Sequence, residues 1–241
     1  MANENKKGLN TNSNSYTIIY SVILVVVVAF LLAFVFQALK DRQDANVALD
    51  KKKQILYSLN IRGLGDEAAA QKYKEVVVAD DIIGENGEKT KSEAKDNESN
   101  GFKLGSADYK NGKFALFTCK VDGKTKYVVP VYGMGLWGPI SGYIALDDDC
   151  ETVFGAYFNH DSETAGLGAE IKDSQAWQEK FIGKKLFDGD NSKVALSVEK
   201  NVSNPNTQVD AVTGATLTSN GVRDMLKEGL GKYIAFFKAN K

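Results

Sequence analysis

The chain has 241 residues and a formal net charge of −1 at pH 7, so its bulk charge points to no nucleic-acid partner. Twenty-two glycines against three prolines suit a turn-rich folded domain and exclude a low-complexity chain. Cys119 and Cys150 stand far apart and no CxxC occurs, which argues against an iron–sulfur cluster held by this chain alone, since such a cluster takes a full set of thiolates. The two thiols either pair, as an oxidising compartment would allow, or stay as separate buried thiols.

Residues 1–15 are polar and Asn-rich without an apolar period and read as a flexible tail. Residues 17–36 carry no charge and would span about 30 Å as a helix, the thickness of a bilayer's hydrocarbon core. A cleaved signal peptide usually has a shorter apolar core followed by a small-residue cleavage site. Here Gln37-Ala38-Leu39-Lys40-Asp41-Arg42 follows, so residues 16–39 read as an uncleaved single-pass transmembrane anchor. Lys6 and Lys7 precede it; Lys40, Arg42, Lys51, Lys52 and Lys53 follow, diluted by Asp41, Asp44 and Asp50. Large domains often cross regardless of such charges, so the count leaves the side of the membrane open.

Residues 40–105 read as a juxtamembrane helical region and a loop. Within it 38–60 is helical, with Val47, Ile55, Leu56 and Leu59 along one face; 66–79 holds a second short helix; 84–101 is a charged, mobile loop. Residues 106–241 form the main domain, with a core beginning near Phe114. Strands at 114–119 and 126–131 flank the hairpin signal Val121-Asp122-Gly123-Lys124. Strands at 143–146 and 152–158 flank the acidic turn Asp147-Asp148-Asp149, 174–181 is a helix with Trp177 and Phe181 on one face, and 193–198 alternates as a strand. Hairpins rather than regular βαβ alternation predict an α+β fold, a largely antiparallel sheet with flanking helices.

Val222, Met225, Leu226, Leu230, Tyr233, Ile234 and Phe237 recur at helical spacing. Thr218, Ser219 and Asn220 are good N-cap residues for that helix, and the small-residue turn before it would offer backbone N–H groups to a phosphate. On physics alone an ordinary capped helix start carries most of the weight.

Other motifs are weaker. Gly133-Met134-Gly135-Leu136-Trp137-Gly138 matches GxGxxG, but Pro139 and a turn-and-strand pattern follow where a dinucleotide site needs a helix. Gly123-Lys124-Thr125 resembles the end of a P-loop, yet Thr118 stands where the first glycine belongs. His160 and Glu163 are two conceivable metal ligands on one turn, outweighed by a polar-loop reading.

The run Thr213-Gly214-Ala215-Thr216-Leu217-Thr218-Ser219 resembles the flavinylation motif of the FMN-binding domain family, opening with Thr213 where Ser is usual. In that family the second hydroxyl residue carries FMN through a phosphoester; carried over, that residue is Thr216. Over nearly its whole length the sequence is similar to the C-subunit family of bacterial Na+-translocating NADH:quinone reductases. The runs that carry this resemblance are 39–46 (Leu-Lys-Asp-Arg-Gln-Asp-Ala-Asn), 133–137 (Gly-Met-Gly-Leu-Trp), 160–168, 181–186 (Phe-Ile-Gly-Lys-Lys-Leu) and 213–222, with Ala165 where the family has Pro.

The resemblance implies a covalent-FMN electron relay in a six-subunit, Na+-exporting pump of the bacterial inner membrane, with the FMN domain on the periplasmic side. It implies NADH, quinone and iron sites on sister subunits, and maturation by a Mg2+-dependent flavin transferase that uses FAD and releases AMP. Thr213, Gly214, Ala215, Leu217 and Thr218 would shape the phosphate turn. Leu136, Trp137, Glu163, Thr164, Gly166 and Leu167 would surround the isoalloxazine. The rival readings are the FMN-carrying G-type subunit of an Rnf ferredoxin-linked complex and a non-enzymatic membrane-anchored binding module.

Overall fold

The computed structural model describes residues 11–90, 98–189 and 192–240, and the chain divides into two compact units, Met1–Ala48 and Leu49–Lys241. Helix α1 (Asn14–Ser58) begins in the first unit and ends in the second. Between Ile18 and Phe36 its large apolar side chains are exposed, and the helix is long and apolar enough to cross a membrane. So large a bare apolar surface fits a membrane anchor. Most of the expected N-terminal tail, residues 1–10, lies outside the described residues, and helix already begins at Asn14.

The second unit continues with α2 (Asp66–Val76), β1 (Val77–Ile83), β2 (Lys89–Thr90), a 3₁₀ turn at Gly101–Lys103, α3 (Ser106–Lys110), β3 (Phe114–Val121) and β4 (Lys124–Met134). Then come β5 (Pro139–Leu146), β6 (Val153–His160), α4 (Glu170–Asp173), α5 (Gln175–Glu179), β7 (Ser197–Glu199), β8 (Gln208–Asp210), α6 (Thr216–Gly231) and α7 (Ile234–Ala239). One six-stranded sheet runs β2-β1-β3-β4-β5-β6 with every neighbouring pair antiparallel. This is the expected α+β architecture. The β3–β4 hairpin turns on Asp122 (φ 49°) and Gly123 (φ 77°), the left-handed pair that a two-residue turn between twisted strands requires.

Several elements differ from the sequence reading. The helix expected over 66–79 stops at Val76, because the β-branched run Val76-Val77-Val78 enters β1 instead. Fully buried Asp80 lies in the middle of that strand; its carboxylate accepts the N–H groups of Asn100 (2.8 Å) and Phe102 (3.1 Å). The charged stretch read as a mobile loop supplies β2 at Lys89–Thr90, and its residues 91–97 lie outside the described residues. The strand expected over 193–198 shrinks to β7, which pairs in parallel with β8. Among the residues placed on one buried face of α1, Val47 is exposed while Ile55, Leu56 and Leu59 are buried. The core therefore begins at Ile55, well before Phe114, and residues 49–105 belong to the same compact unit as the sheet.

Strand alternation places Phe158 and Tyr157 on opposite faces of the sheet. Phe158 packs on Trp177 and Phe181 beside α5, and α6 covers the same face across β4. Tyr157 meets Tyr57 at the end of α1 edge-on. Asn60 then donates its Nδ2–H to the Phe154 carbonyl (2.9 Å), and Arg62 donates to Gln178 Oε1 (2.6 Å). The end of α1 is thus part of the core of the second unit.

This fixes where the chain can be cut. A fragment lacking residues 1–38 is expected to be soluble and folded. A fragment starting at Ile61 loses Ile55, Leu56 and Leu59, each worth about 1.5–3 kcal/mol of burial, which is a large share of the roughly 5–15 kcal/mol that stabilises a domain. Urea unfolding followed by circular dichroism should give a cooperative transition for the first fragment and none for the second; equal midpoints would contradict this placement of the core.

Candidate functional site

Helix α6 approaches β4 closely because glycines stand at the crossing. A Cβ on Gly133 would come within 2.6 Å of Met225 Cβ, and one on Gly229 within 2.7 Å of Val131 Cγ1. A Cβ on Gly221 would collide with the carbonyl oxygen of Met134. The tip between β4 and β5 is the glycine-rich run at 133–138, closed by the Gly135 N–H donating to the Gly138 carbonyl (2.8 Å). Strand β5 follows it, so the run is a structural hairpin loop and not a dinucleotide fingerprint.

The start of α6 also differs from the sequence reading. Its N-cap is Ala215, and Thr218, Ser219 and Asn220 lie inside the helix. Thr218 is buried and donates its hydroxyl to Glu163 Oε2 at 2.5 Å, so it is not available to cap. Ser219 is likewise buried, and its Oγ accepts the Val212 N–H at 3.1 Å. Thr216 is the first helical residue and is exposed. The first turn carries neither a capping side chain nor an acidic residue. Its backbone N–H groups and the positive end of the helix dipole therefore face a position suited to an anion. Just before it, Gly214 adopts φ 77°, and a Cβ there would lie 2.9 Å from Leu167 Cδ2.

A third segment closes the site. Between His160 and α4 the chain folds into a turn in which the Leu167 and Ala169 N–H groups donate to the Thr164 carbonyl. His160 Nδ1 accepts the Glu163 N–H at 3.1 Å, and Glu163 points its carboxylate inward. Leu136, Glu163, Thr164, Leu167, Gly214, Ala215, Thr216, Leu217 and Thr218 line one cleft of about 190 Å³. Gly168 lines it as well and was missed by the sequence reading, although the Gly-Leu-Gly run held the signal. Gly166 and Thr213 line a neighbouring cleft of about 310 Å³ with Trp177, Lys180 and Asp210. Trp137 lines neither; its ring is exposed, and its backbone N–H donates to Glu163 Oε1 at 2.9 Å.

The arrangement fits a flavin mononucleotide. An uncapped helix start suits the phosphate, and exposed Leu136, Leu167 and Leu217 suit an apolar ring system. The FMN-binding domain family matches residues 135–231, a span that contains the residues the resemblance places at the flavin. The C-subunit of the Na+-translocating NADH-quinone reductase of Haemophilus ducreyi is 34% identical over 250 residues, covering 95% of this chain and 96% of its own. The corresponding protein of Vibrio anguillarum is 32% identical over 238 residues, covering 92% of each chain. The chain belongs to the C-subunit family of Na+-translocating NADH-quinone reductases. The crystal structure of the C-subunit from Parabacteroides distasonis matches the fold with a TM-score of 0.77 at 34% identity, over 84% of this chain and 98% of that one. That of Shewanella oneidensis NqrC matches with a TM-score of 0.61 at 26% identity, over 79% and 97%.

The glycine crossing predicts opposite outcomes for one substitution. In a helix Gly→Ala contributes about 1 kcal/mol by propensity. Gly231→Ala has open space around its Cβ and should raise the melting temperature. Gly221→Ala meets rigid backbone, and overpacking of about 1–3 kcal/mol outweighs the gain, so its melting temperature should fall. Calorimetry of both variants checks this; a stabilised Gly221→Ala would mean that α6 does not sit as described.

Proposed function

We propose that the chain is the FMN-carrying subunit of a Na+-translocating NADH:quinone reductase and that its flavin is held by a phosphoester on Thr216. The observation that carries the attachment site is the sorting of hydroxyls at the start of α6. Thr218 and Ser219 are buried and hydrogen-bonded, Thr213 lines the neighbouring cleft, and Thr216 alone is exposed in the cleft on the uncapped first turn. During maturation a flavin transferase would join Thr216 Oγ to the flavin-side phosphorus of FAD as the pyrophosphate link breaks and AMP leaves.

When bound, FMN supplies a group that takes up and releases electrons one at a time. The chain's own part is to hold it. The first-turn N–H groups and Gly214 would hold the phosphate, Leu136, Leu167 and Leu217 would give the ring apolar contact, and Thr164 and Ala215 would complete the wall. Trp137, at the rim, and Gly166 and Thr213, in the neighbouring cleft, would contact the flavin only where it extends beyond the main cleft. Electrons would pass from NADH towards quinone through sites on sister subunits of a six-subunit assembly, coupled to Na+ export.

Thr216→Ala, co-expressed with the transferase, should lose all covalent flavin, read by intact mass and by flavin fluorescence after denaturation. Thr213→Ala should keep it. The variant should still fold, because Thr216 is exposed. FMN on another residue, or undiminished covalent flavin, would overturn the assignment; wild type without flavin would favour a non-enzymatic module.

We further propose that the second unit faces the periplasm of an inner-membrane protein. What supports this orientation is the family resemblance. Both cysteines are free and buried, and burial pushes the Cys119 thiol well up and the Cys150 thiol to about 11, a state that fits either compartment. A reporter fused at Lys241 should be active only when exported; protection of the C-terminus from external protease in spheroplasts would reverse the orientation.

A further inference from the structure

Glu163 is a buried carboxylate that forms no ion pair among the described residues. Its two oxygens serve different parts of the chain. Oε1 accepts the Trp137 N–H from the β4–β5 tip, and Oε2 accepts the Thr218 hydroxyl from the first turn of α6. Both groups donate to it, so it acts purely as an acceptor, the role of a carboxylate. Two glycines make room for it. A Cβ on Gly135 would come within 2.5 Å of Oε1, and one on Gly168 within 2.5 Å of Oε2 and 2.6 Å of Thr218 Oγ1. The same carboxylate lines the cleft that Thr216 opens into.

We infer that Glu163 is a positioning residue for the flavin, tying the two walls of the cleft together and setting a negative charge beside the ring that holds its reduction potential low. The inference rests on the FMN reading above. The bridge part follows from geometry: β4–β5 and α6 are far apart in sequence, and Glu163 is the side chain bonded to both walls at the cleft. The charge part follows from the two donors: they face the carboxylate oxygens, and no ion pair among the described residues offsets a charge there, so the carboxylate opposes the extra electron density of a reduced flavin. Its hydrogen bond also withholds Thr218 from modification, which leaves Thr216 as the open hydroxyl of that turn.

Two variants of the full-length, FMN-loaded chain separate charge from bridge. Glu163→Gln keeps the length and one acceptor oxygen but removes the charge. Glu163→Asp keeps the charge but is too short to reach both walls. The readouts are the midpoint potential by spectroelectrochemical titration, the visible circular dichroism of the flavin, and the mass of the flavinylated peptide. Glu163→Gln should shift the potential to a more positive value with the dichroism nearly unchanged. Glu163→Asp should alter the dichroism and raise flavin mobility, with a smaller shift in potential. Equal potentials in wild type and Glu163→Gln would sink the electrostatic part, and an unchanged dichroic spectrum in Glu163→Asp would sink the bridge. If wild type itself carries no covalent flavin, it is the FMN reading that fails, a result already distinct before either variant is compared.

Discussion

Helix α6 rests on β4 at Gly133, Gly221 and Gly229, where any side chain would push the two elements apart. Interiors pack as densely as organic crystals, so a helix held this closely has little freedom to slide. Its first turn is thereby fixed beside the tip of the β4–β5 hairpin, and Thr216 and Leu136 come to line one cleft although 80 residues of chain separate them. The antiparallel sheet supplies the rigid base. Its hairpin tip carries apolar side chains outward, and the backbone behind that tip stays paired, Met134 with Pro139 and Gly133 with Ile140.

Once the helix is placed, its N-terminus needs an electrostatic partner, and the chain supplies that partner from a distance. A helix start ordinarily carries a capping side chain or an acidic residue of its own. Here the first turn has neither, and the acidic group is Glu163, brought in from the loop after β6 and bonded to Thr218. This occupies the Thr218 side chain and leaves the backbone N–H groups of the turn without a side-chain cap. Of the hydroxyls on that turn, Thr218 and Ser219 have hydrogen-bonding partners in the fold and Thr216 is exposed, which is what favours Thr216 as the proposed attachment point.

This explains what could and could not be read in advance. The hairpins were legible because Asp122-Gly123 and the acidic turn at 147–149 are local devices whose residues set the backbone directly. The family was legible because its motifs form contiguous runs, the one at 213–219 among them. Strand β1 was not, since a strand carrying Asp80 and Asp81 looks solvated until the N–H groups of Asn100 and Phe102 are seen on the buried carboxylate. The cap residues were misplaced for the same kind of reason: Thr218 looks like a cap only while Glu163 is out of view. Trp137 is a different case: the resemblance places it at the flavin, and in the fold its ring is exposed while its backbone N–H turns inward to Glu163. In each miss a tertiary partner decided between conformations that local propensity left balanced.

The size of the cleft gives the proposed ester a physical rationale. Sites that hold a drug-sized ligand by contact alone are usually about 300–1,000 Å³ and bury most of its surface. The cleft at Thr216 is about 190 Å³, and Leu136, Leu167 and Leu217 remain substantially exposed around it. Contact alone at such a site would leave much of a flavin in water and bind it weakly. A covalent link removes that requirement, because attachment no longer depends on buried area. A flavin tethered as proposed could then stay near the surface, within reach of a redox partner. A deep pocket would hold the cofactor more firmly but would insulate it. For a subunit that hands electrons on to others, a shallow apolar cleft with the proposed tether would reconcile retention with access.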